Sequence, residues 1–144
     1  MINVYTDGSC NLKLQKAGIV IYFCDKEISK SLIRPKVTNN IAELCAIIEA
    51  FDYLKIHFEK KEKIVIHTDS NYAILCATSY GKKCAKKNWP SSIPNASLVK
   101  TIYEKFQQHP NISLKHVMAH TNKQDVHSLG NAKADSLARR GMEM

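Results

Sequence analysis

Short runs of alternating or β-branched apolar residues fill the first part of the chain. Residues 2–6, 18–23 and 27–33 are β-prone runs separated by turn-rich stretches, so they predict three successive antiparallel strands. Between residues 41 and 58 the apolar positions recur at three- and four-residue spacing, which predicts one long amphipathic helix. These positions are Leu44, Ile47, Ile48, Phe51, Leu54 and Phe58. Thr38, Asn39 and Asn40 precede them as helix-start residues.

Strand and helix patterns alternate over the rest of the chain. We predict strands at residues 64–68 and 112–117, and helices at residues 71–79, 96–108 and 131–140. Strands separated by a helix usually pair in parallel through a right-handed crossover, so the fourth strand should lie beside the first, away from the second. The sequence therefore predicts an α/β fold in which helices flank a mixed five-stranded sheet.

Length and composition are those expected of one soluble domain, residues 1–144, without repeats or low-complexity tracts. No apolar run approaches the roughly 18 residues that span a bilayer, and the amino terminus has no basic region followed by an apolar stretch. The five cysteines are odd in number and include no C-x-x-C pair, which predicts reduced thiols. We expect an intracellular monomer, cytoplasmic by default, with a nuclear or viral setting left open.

Basic residues outnumber acidic ones by 21 to 13, and the resulting net charge of +8 suits a polyanionic partner such as nucleic acid. A merely solubilising surface would give the same total. The placement of the charges says more, because Lys82, Lys83, Lys86 and Lys87 cluster before Trp89 whereas several acids lie inside apolar segments. A basic surface around an acidic centre is typical of a metal-dependent nuclease.

Two aspartates follow predicted strands in similar local sequences. Asp7 ends the first strand in the segment TDGS, and Asp69 ends the fourth in the segment TDS. If these strands are parallel neighbours, both carboxylates lie at the switch point of the sheet, where like charges repel unless a cation intervenes. Either aspartate alone would equally fit a turn or a helix cap.

Glu43 shares one helical face with Ile47, Ala50 and Leu54, so its carboxylate continues the apolar stripe that should face the sheet. An unpaired carboxylate in that position would cost several kcal/mol, which metal coordination would offset. The alternative is that Glu43 is the reciprocal partner of an N-cap at Asn40.

Asp135 adds a carboxylate near the end of the chain, with an i,i+4 ion pair to Arg139 as the alternative. Four hard oxygen donors without Cys or His partners favour Mg²⁺, or Mn²⁺ as its substitute, over zinc. Two such ions can activate a water on one side of a phosphodiester and stabilise the leaving oxygen on the other. The four acids therefore indicate phosphodiester hydrolysis.

These segments resemble the ribonuclease H type 1 family along essentially the whole chain. The matching motifs are TDGS at 6–9, TNNIAEL at 38–44, TDS at 68–70 and GNAKAD at 130–135, in the family's order. The resemblance implies the ribonuclease H-like fold with strand order 3-2-1-4-5, and cleavage of the RNA strand of RNA·DNA hybrids to 5′-phosphate and 3′-hydroxyl ends. It implies two Mg²⁺ ions bound by the four acids Asp7, Glu43, Asp69 and Asp135.

The resemblance also implies contacts with the substrate. Asn39 and Asn40 would contact the hybrid around its minor groove, where 2′-hydroxyls distinguish RNA from DNA. Lys36, Thr38 and Asn95 match a pocket for a phosphate of the DNA strand.

An aromatic channel and a basic protrusion are implied in the same way. Tyr72 and Tyr80 match the channel that packs against the DNA strand, with core packing as an equal alternative for each. The lysines near Trp89, among them Lys86 and Lys87, resemble a shortened form of the protrusion.

His120 matches the family's catalytic histidine, and His127 competes with it for the role. Three features depart from the family: Ala119 precedes His120 where Gly is usual, Cys84 replaces a tryptophan of many relatives, and residues 120–135 form a longer segment than in cellular relatives. Two other functions stay open, a catalytically silent hybrid-binding domain and another two-metal nuclease such as a resolvase or an integrase.

Overall fold

The computed structural model describes residues 1–23, 26–58 and 62–117. Its strands are β1 Ile2–Asn11, β2 Lys16–Phe23, β3 Lys26–Leu32, β4 Ile64–Thr68 and β5 Ile112–His116. Its helices are α1 Asn39–His57, α2 Asn71–Ala77, α3 Ser79–Lys86 and α4 Ala96–Gln108. The predicted helix at 131–140 lies outside the described residues. No helix in the described ranges is long and apolar enough to cross a membrane.

The strands form one five-stranded sheet in the order β3-β2-β1-β4-β5. β1–β2 and β2–β3 pair antiparallel, whereas β1–β4 and β4–β5 pair parallel. This is the predicted mixed sheet with order 3-2-1-4-5, which is confirmed. The parallel register places Tyr5 opposite His67, so β1 and β4 lead side by side toward Asp7 and Asp69.

The first strand is longer than predicted, and the prediction that Asp7 ends it is wrong. β1 continues to Asn11 because β2 pairs with it along a hairpin, from Tyr5 opposite Tyr22 to Asn11 opposite Lys16. Gly8 and Ser9 resemble a turn in the sequence, yet these cross-strand bonds keep them extended. Asp7 instead lies just beyond the part of β1 that pairs with β4.

The single helix predicted at 71–79 is also wrong, because two helices occupy this region. Thr78 leaves the helical conformation with φ −124° and ψ −106°, so α2 ends at Ala77 and α3 begins at Ser79. Only Gly81 and Cys84 of α3 are buried. A helix of eight residues makes only about two turns, too few for an apolar repeat to be recognised in the sequence.

Helix α1 packs its apolar stripe on the sheet. Phe51 and Leu54 lie in one buried cluster with Val4 of β1 and Ile66 of β4, each at most 1% exposed. A second buried cluster joins α1 to α2 and α4; its largest members are Leu44, Ile47, Val99 and Ile102. Full burial of each such side chain contributes about 1.5–3 kcal/mol, so the helices and the sheet form a rigid frame.

Gly8 allows strand β1 to contact the start of helix α1 directly. A Cβ at this position would lie 2.3 Å from the carbonyl carbon of Ala42 and 2.6 Å from the backbone nitrogen of Glu43. Only glycine permits this separation. Strand β1 therefore lies directly against the helical turn that carries Glu43.

Candidate active site

Three carboxylates from three different elements meet at one end of the sheet. Asp7 belongs to β1, Glu43 to α1, and Asp69 follows β4 directly. One ligand oxygen from each lies within 4.8 Å of the others. Asp7 and Glu43 are buried, with 3% and 8% exposure, and Asp69 is half-buried. This acidic cluster, as we call the three residues, has the proximity predicted for Asp7 and Asp69 from the parallel pairing of β1 with β4.

The backbone after β4 orients Asp69. The Ser70 amide donates to the Thr68 hydroxyl at 3.1 Å, and the Ser70 hydroxyl accepts from the Ala73 amide at 3.1 Å as the N-cap of α2. These bonds form a tight turn between strand and helix. Asp69 is thus held where β4 ends, beside β1.

Glu43 is hydrogen-bonded to both central strands. Its Oε1 accepts from the Gly8 amide at 2.8 Å, and its Oε2 accepts from the Thr68 hydroxyl at 3.4 Å. The N-cap of α1 is Thr38, whose hydroxyl accepts from the Ile41 amide at 3.1 Å. The alternative in which Glu43 pairs with an N-cap at Asn40 is therefore absent, and the carboxylate faces the sheet as its helical position predicted.

Burial raises the pKa of Glu43 above its ordinary value, and the negative charge of Asp69 raises it further. Hydrogen bonds with Asp7, the Gly8 amide and Thr68 lower the pKa but do not cancel the increase. The acidic cluster thus gathers negative charge that protons or a cation must neutralise. Closely spaced hard oxygen donors suit a divalent cation such as Mg²⁺, so the residues fit a metal site.

Of the residues predicted to bind near the minor groove and the phosphate, all but Asn95 lie at the start of α1. Asn39 and Asn40 are exposed in the first turn, and Lys36 is exposed in the preceding segment. Thr38 is half-buried, and its hydroxyl caps the helix. Asn95 lies at the start of α4, where its Nδ2 donates to the Tyr72 hydroxyl at 3.3 Å.

Tyr72 and Tyr80 are half-buried and pack against the second buried cluster. Core packing, the alternative for both tyrosines, is therefore part of their role. Lys86 ends α3 and Lys87 follows it; both are exposed, as are Lys82 and Lys83. The exposed side of helix α3 is thus basic, whereas Tyr72 and Tyr80 lie partly in the core.

Sequence reasoning missed the groups that hold Glu43 and the segment before α1. Thr68 is fully buried yet polar, and a hydroxyl residue that ends a predicted strand directly before Asp69 is the sequence signal that could have identified it. Gln15 has no such signal: its Oε1 accepts from the Val37 amide at 3.1 Å, which ties the β1–β2 hairpin to the segment containing Lys36 and Thr38. Asp135, His120 and His127 lie outside the described residues.

Comparison with known proteins gives a consistent result. The RNase H family model matches residues 1–143. A ribonuclease H of Orientia tsutsugamushi is 32% identical over 146 residues, covering 97% of this chain and 81% of that protein. The solution structure of the PFV RNase H domain is 25% identical with a TM-score of 0.78, covering 99% of this chain and 94% of that one.

A structure of LC11-RNase H1 in complex with an RNA/DNA hybrid shares the fold. Its TM-score is 0.69 at 21% identity, and the match covers 99% of this chain and 97% of that one. The family match over residues 1–143 and the relative at 32% identity agree with the mixed sheet and with the acidic cluster. The chain belongs to the RNase H family.

Proposed function

We propose that this chain is a metal-dependent endonuclease that hydrolyses the RNA strand of RNA·DNA hybrids and leaves 5′-phosphate and 3′-hydroxyl ends. The observation that carries the proposal is the acidic cluster, whose ligand oxygens lie within 4.8 Å of one another in a chain of the RNase H family. The hybrid bound to LC11-RNase H1 supports the choice of substrate.

Two Mg²⁺ ions are the proposed cofactor, with Mn²⁺ as a substitute. Asp7, Glu43 and Asp69 would hold them together with Asp135, whose place we propose from its sequence motif alone. When bound, such ions activate a water and stabilise the leaving oxygen of the phosphodiester. The donor set supports this choice, because the three described ligands offer only carboxylate oxygens, which magnesium and manganese prefer.

The protein's own groups give the acidic cluster its fixed geometry. The Gly8 amide and the Thr68 hydroxyl hold both oxygens of Glu43 against the sheet. Such preorganised ligands need no rearrangement when the scissile phosphate arrives, which is the main requirement for electrostatic catalysis.

The substrate would lie across the exposed groups around the acidic cluster. We propose that Asn39 and Asn40 contact the minor groove, while Lys36, Thr38 and Asn95 bind a phosphate of the DNA strand. Asn39, Asn40 and Lys36 are exposed, and Thr38 and Asn95 are half-buried, so all five can be reached by a substrate. This accessibility supports the arrangement. The remaining proposed contacts are with the DNA strand and the backbone: Tyr72, Tyr80, Lys86 and Lys87.

His120 is proposed to shuttle a proton or to help release a metal ion and the product, because a histidine titrates near neutral pH. Comparing turnover of His120→Ala with that of His127→Ala decides between the two histidines. We further propose a single-domain monomer that acts inside the cell. The match over residues 1–143 supports one domain, and the free thiols of Cys10, Cys45, Cys76 and Cys84 suit a reducing compartment.

Two other functions make different predictions. A silent hybrid-binding domain has no need for three carboxylates held together at the cost of mutual repulsion, and the acidic cluster argues against it. A resolvase- or integrase-like nuclease would act on DNA. The test is an end-labelled RNA·DNA hybrid, a DNA duplex and an RNA duplex, each incubated with the protein and Mg²⁺. We expect cleavage of the RNA strand of the hybrid only; cleavage of the DNA duplex, or none at all, would overturn the proposal.

A further inference from the structure

Asn95 occupies the N-cap position of α4 in an unusual way. Asparagine at an N-cap normally accepts a hydrogen bond from the first turn of its helix. Thr38 and Ser70 cap α1 and α2 in this way, but the side chain of Asn95 makes no such bond to α4. Its backbone is left-handed, with φ 57° and ψ 29°, a conformation that asparagine tolerates better than most residues.

The side chain of Asn95 is directed to α2 instead. Its Nδ2 donates to the hydroxyl of Tyr72 at 3.3 Å, across a separation of 23 residues. Cys76, one turn further along α2, is also hydrogen-bonded to Tyr72, and burial raises the pKa of this thiol to about 11. The Tyr72 hydroxyl is thus held between Cys76 and Asn95, and one of the two N–H groups of the Asn95 amide is used.

We propose that Tyr72 is a positioning residue for Asn95, whose amide it holds so that the second N–H is offered to a phosphate of the DNA strand. The inference rests on the proposed function, in which Asn95 binds that phosphate. It gives the tyrosine hydroxyl a role separate from the packing of its ring. Tyr72 lies in the first turn of α2, three residues after Asp69, so it also ties the phosphate contact to the acidic cluster.

Tyr72→Phe removes the hydroxyl and keeps the ring that packs against the second buried cluster. The matched control is Tyr103→Phe on α4 itself, because the ring of Tyr103 packs beside Trp89 instead. Hybrid affinity is measured by fluorescence anisotropy in an Asp69→Asn background, in which the substrate stays intact. KM and kcat are measured in the natural background, and thermal unfolding checks that each variant folds.

Loss of one neutral hydrogen bond predicts that Tyr72→Phe raises Kd and KM by about two- to tenfold. The value of kcat and the melting temperature should stay close to those of the natural protein, and Tyr103→Phe should change neither constant. Tyr72→Phe combined with Asn95→Ala should bind no more weakly than Asn95→Ala alone, because the two side chains act as one unit. A methylphosphonate placed at the contacted DNA phosphate should abolish the difference between Tyr72→Phe and the natural protein.

Normal affinity of Tyr72→Phe beside weakened binding by Asn95→Ala would overturn the positioning role, as would additive losses in the double variant. Normal affinity of Asn95→Ala would remove the phosphate contact and this inference with it. The proposed hydrolysis would be unaffected by either result, since the binding measurement does not depend on cleavage.

Discussion

The residues around Glu43 show how a buried carboxylate is kept in place. Its oxygens accept from the Gly8 amide and the Thr68 hydroxyl, both of them neutral donors. These bonds fix the position of the side chain without removing the charge of the acidic cluster. Helical spacing was enough to predict that Glu43 faces the sheet, but the two donors depend on how β1 and β4 approach α1, which local sequence does not encode.

The raised pKa of Glu43 makes the stability of the metal-free protein depend on pH. The folded state binds the proton of Glu43 more tightly than the unfolded state does. The free energy of unfolding should therefore decrease as pH rises from the unfolded pKa through the raised folded pKa. Glu43→Gln should remove this part of the dependence and be at least as stable at neutral pH. Urea unfolding in chelator at several pH values measures this, and an unchanged pH dependence in Glu43→Gln would contradict it.

Gly8→Ala tests the contact between β1 and α1. Its Cβ would meet backbone atoms of Ala42 at 2.3 Å and 2.4 Å, which a side-chain rotation cannot relieve. We expect a loss of about 1–3 kcal/mol of unfolding free energy, or more, together with reduced turnover because Glu43 must shift. Ser9→Ala, the neighbouring position, is the control and should stay within about 0.5 kcal/mol. Equal stability of the two variants would mean that the contact relaxes freely.

At the scale of elements, prediction succeeded where a large apolar face repeats. Helix α1 was predicted with almost its observed bounds because apolar positions recur along most of its 19 residues. Helix α3 was missed because its exposed lysines dominate its eight residues. The lysines of α3 are exposed, so they can be replaced with little effect on the core.

Replacing Lys86 and Lys87 with Ala should weaken hybrid binding and flatten its salt dependence. The slope of log Kd against log salt should decrease by about 0.7–0.9 for each phosphate that the variant no longer neutralises. The control pair is Lys55 and Lys63, both exposed, since Lys63 precedes the opposite end of β4 from Asp69. Alanine at these two positions removes the same charge. An equal effect of both pairs would show that only net charge matters, with no local contact at α3.

Across the whole molecule, the placement of β4 beside β1 followed from a general rule about crossovers, whereas the full strand order came from the resemblance of the motifs to a known family. The residue at which β1 ends could not be predicted from such a rule. The extension of β1 to Asn11 depends on pairing with β2 rather than on the turn-like residues Gly8 and Ser9. The acidic cluster depends both on local sequence motifs and on the pairing of distant strands. Its motifs were readable one by one, and the parallel pairing of β1 with β4 brings Asp7 and Asp69 together.

The most direct test of the central claim is cleavage of an end-labelled RNA·DNA hybrid by the natural protein and by Asp69→Asn, with Mg²⁺ and then with chelator. The natural protein should cut the RNA strand and stop when chelator is added. Asp69→Asn should be slower by at least about a thousandfold, or about 4 kcal/mol of activation free energy. Its metal-free stability should be unchanged or slightly higher, because repulsion within the acidic cluster is reduced. Cleavage that persists in Asp69→Asn, or in chelator, would contradict the claim.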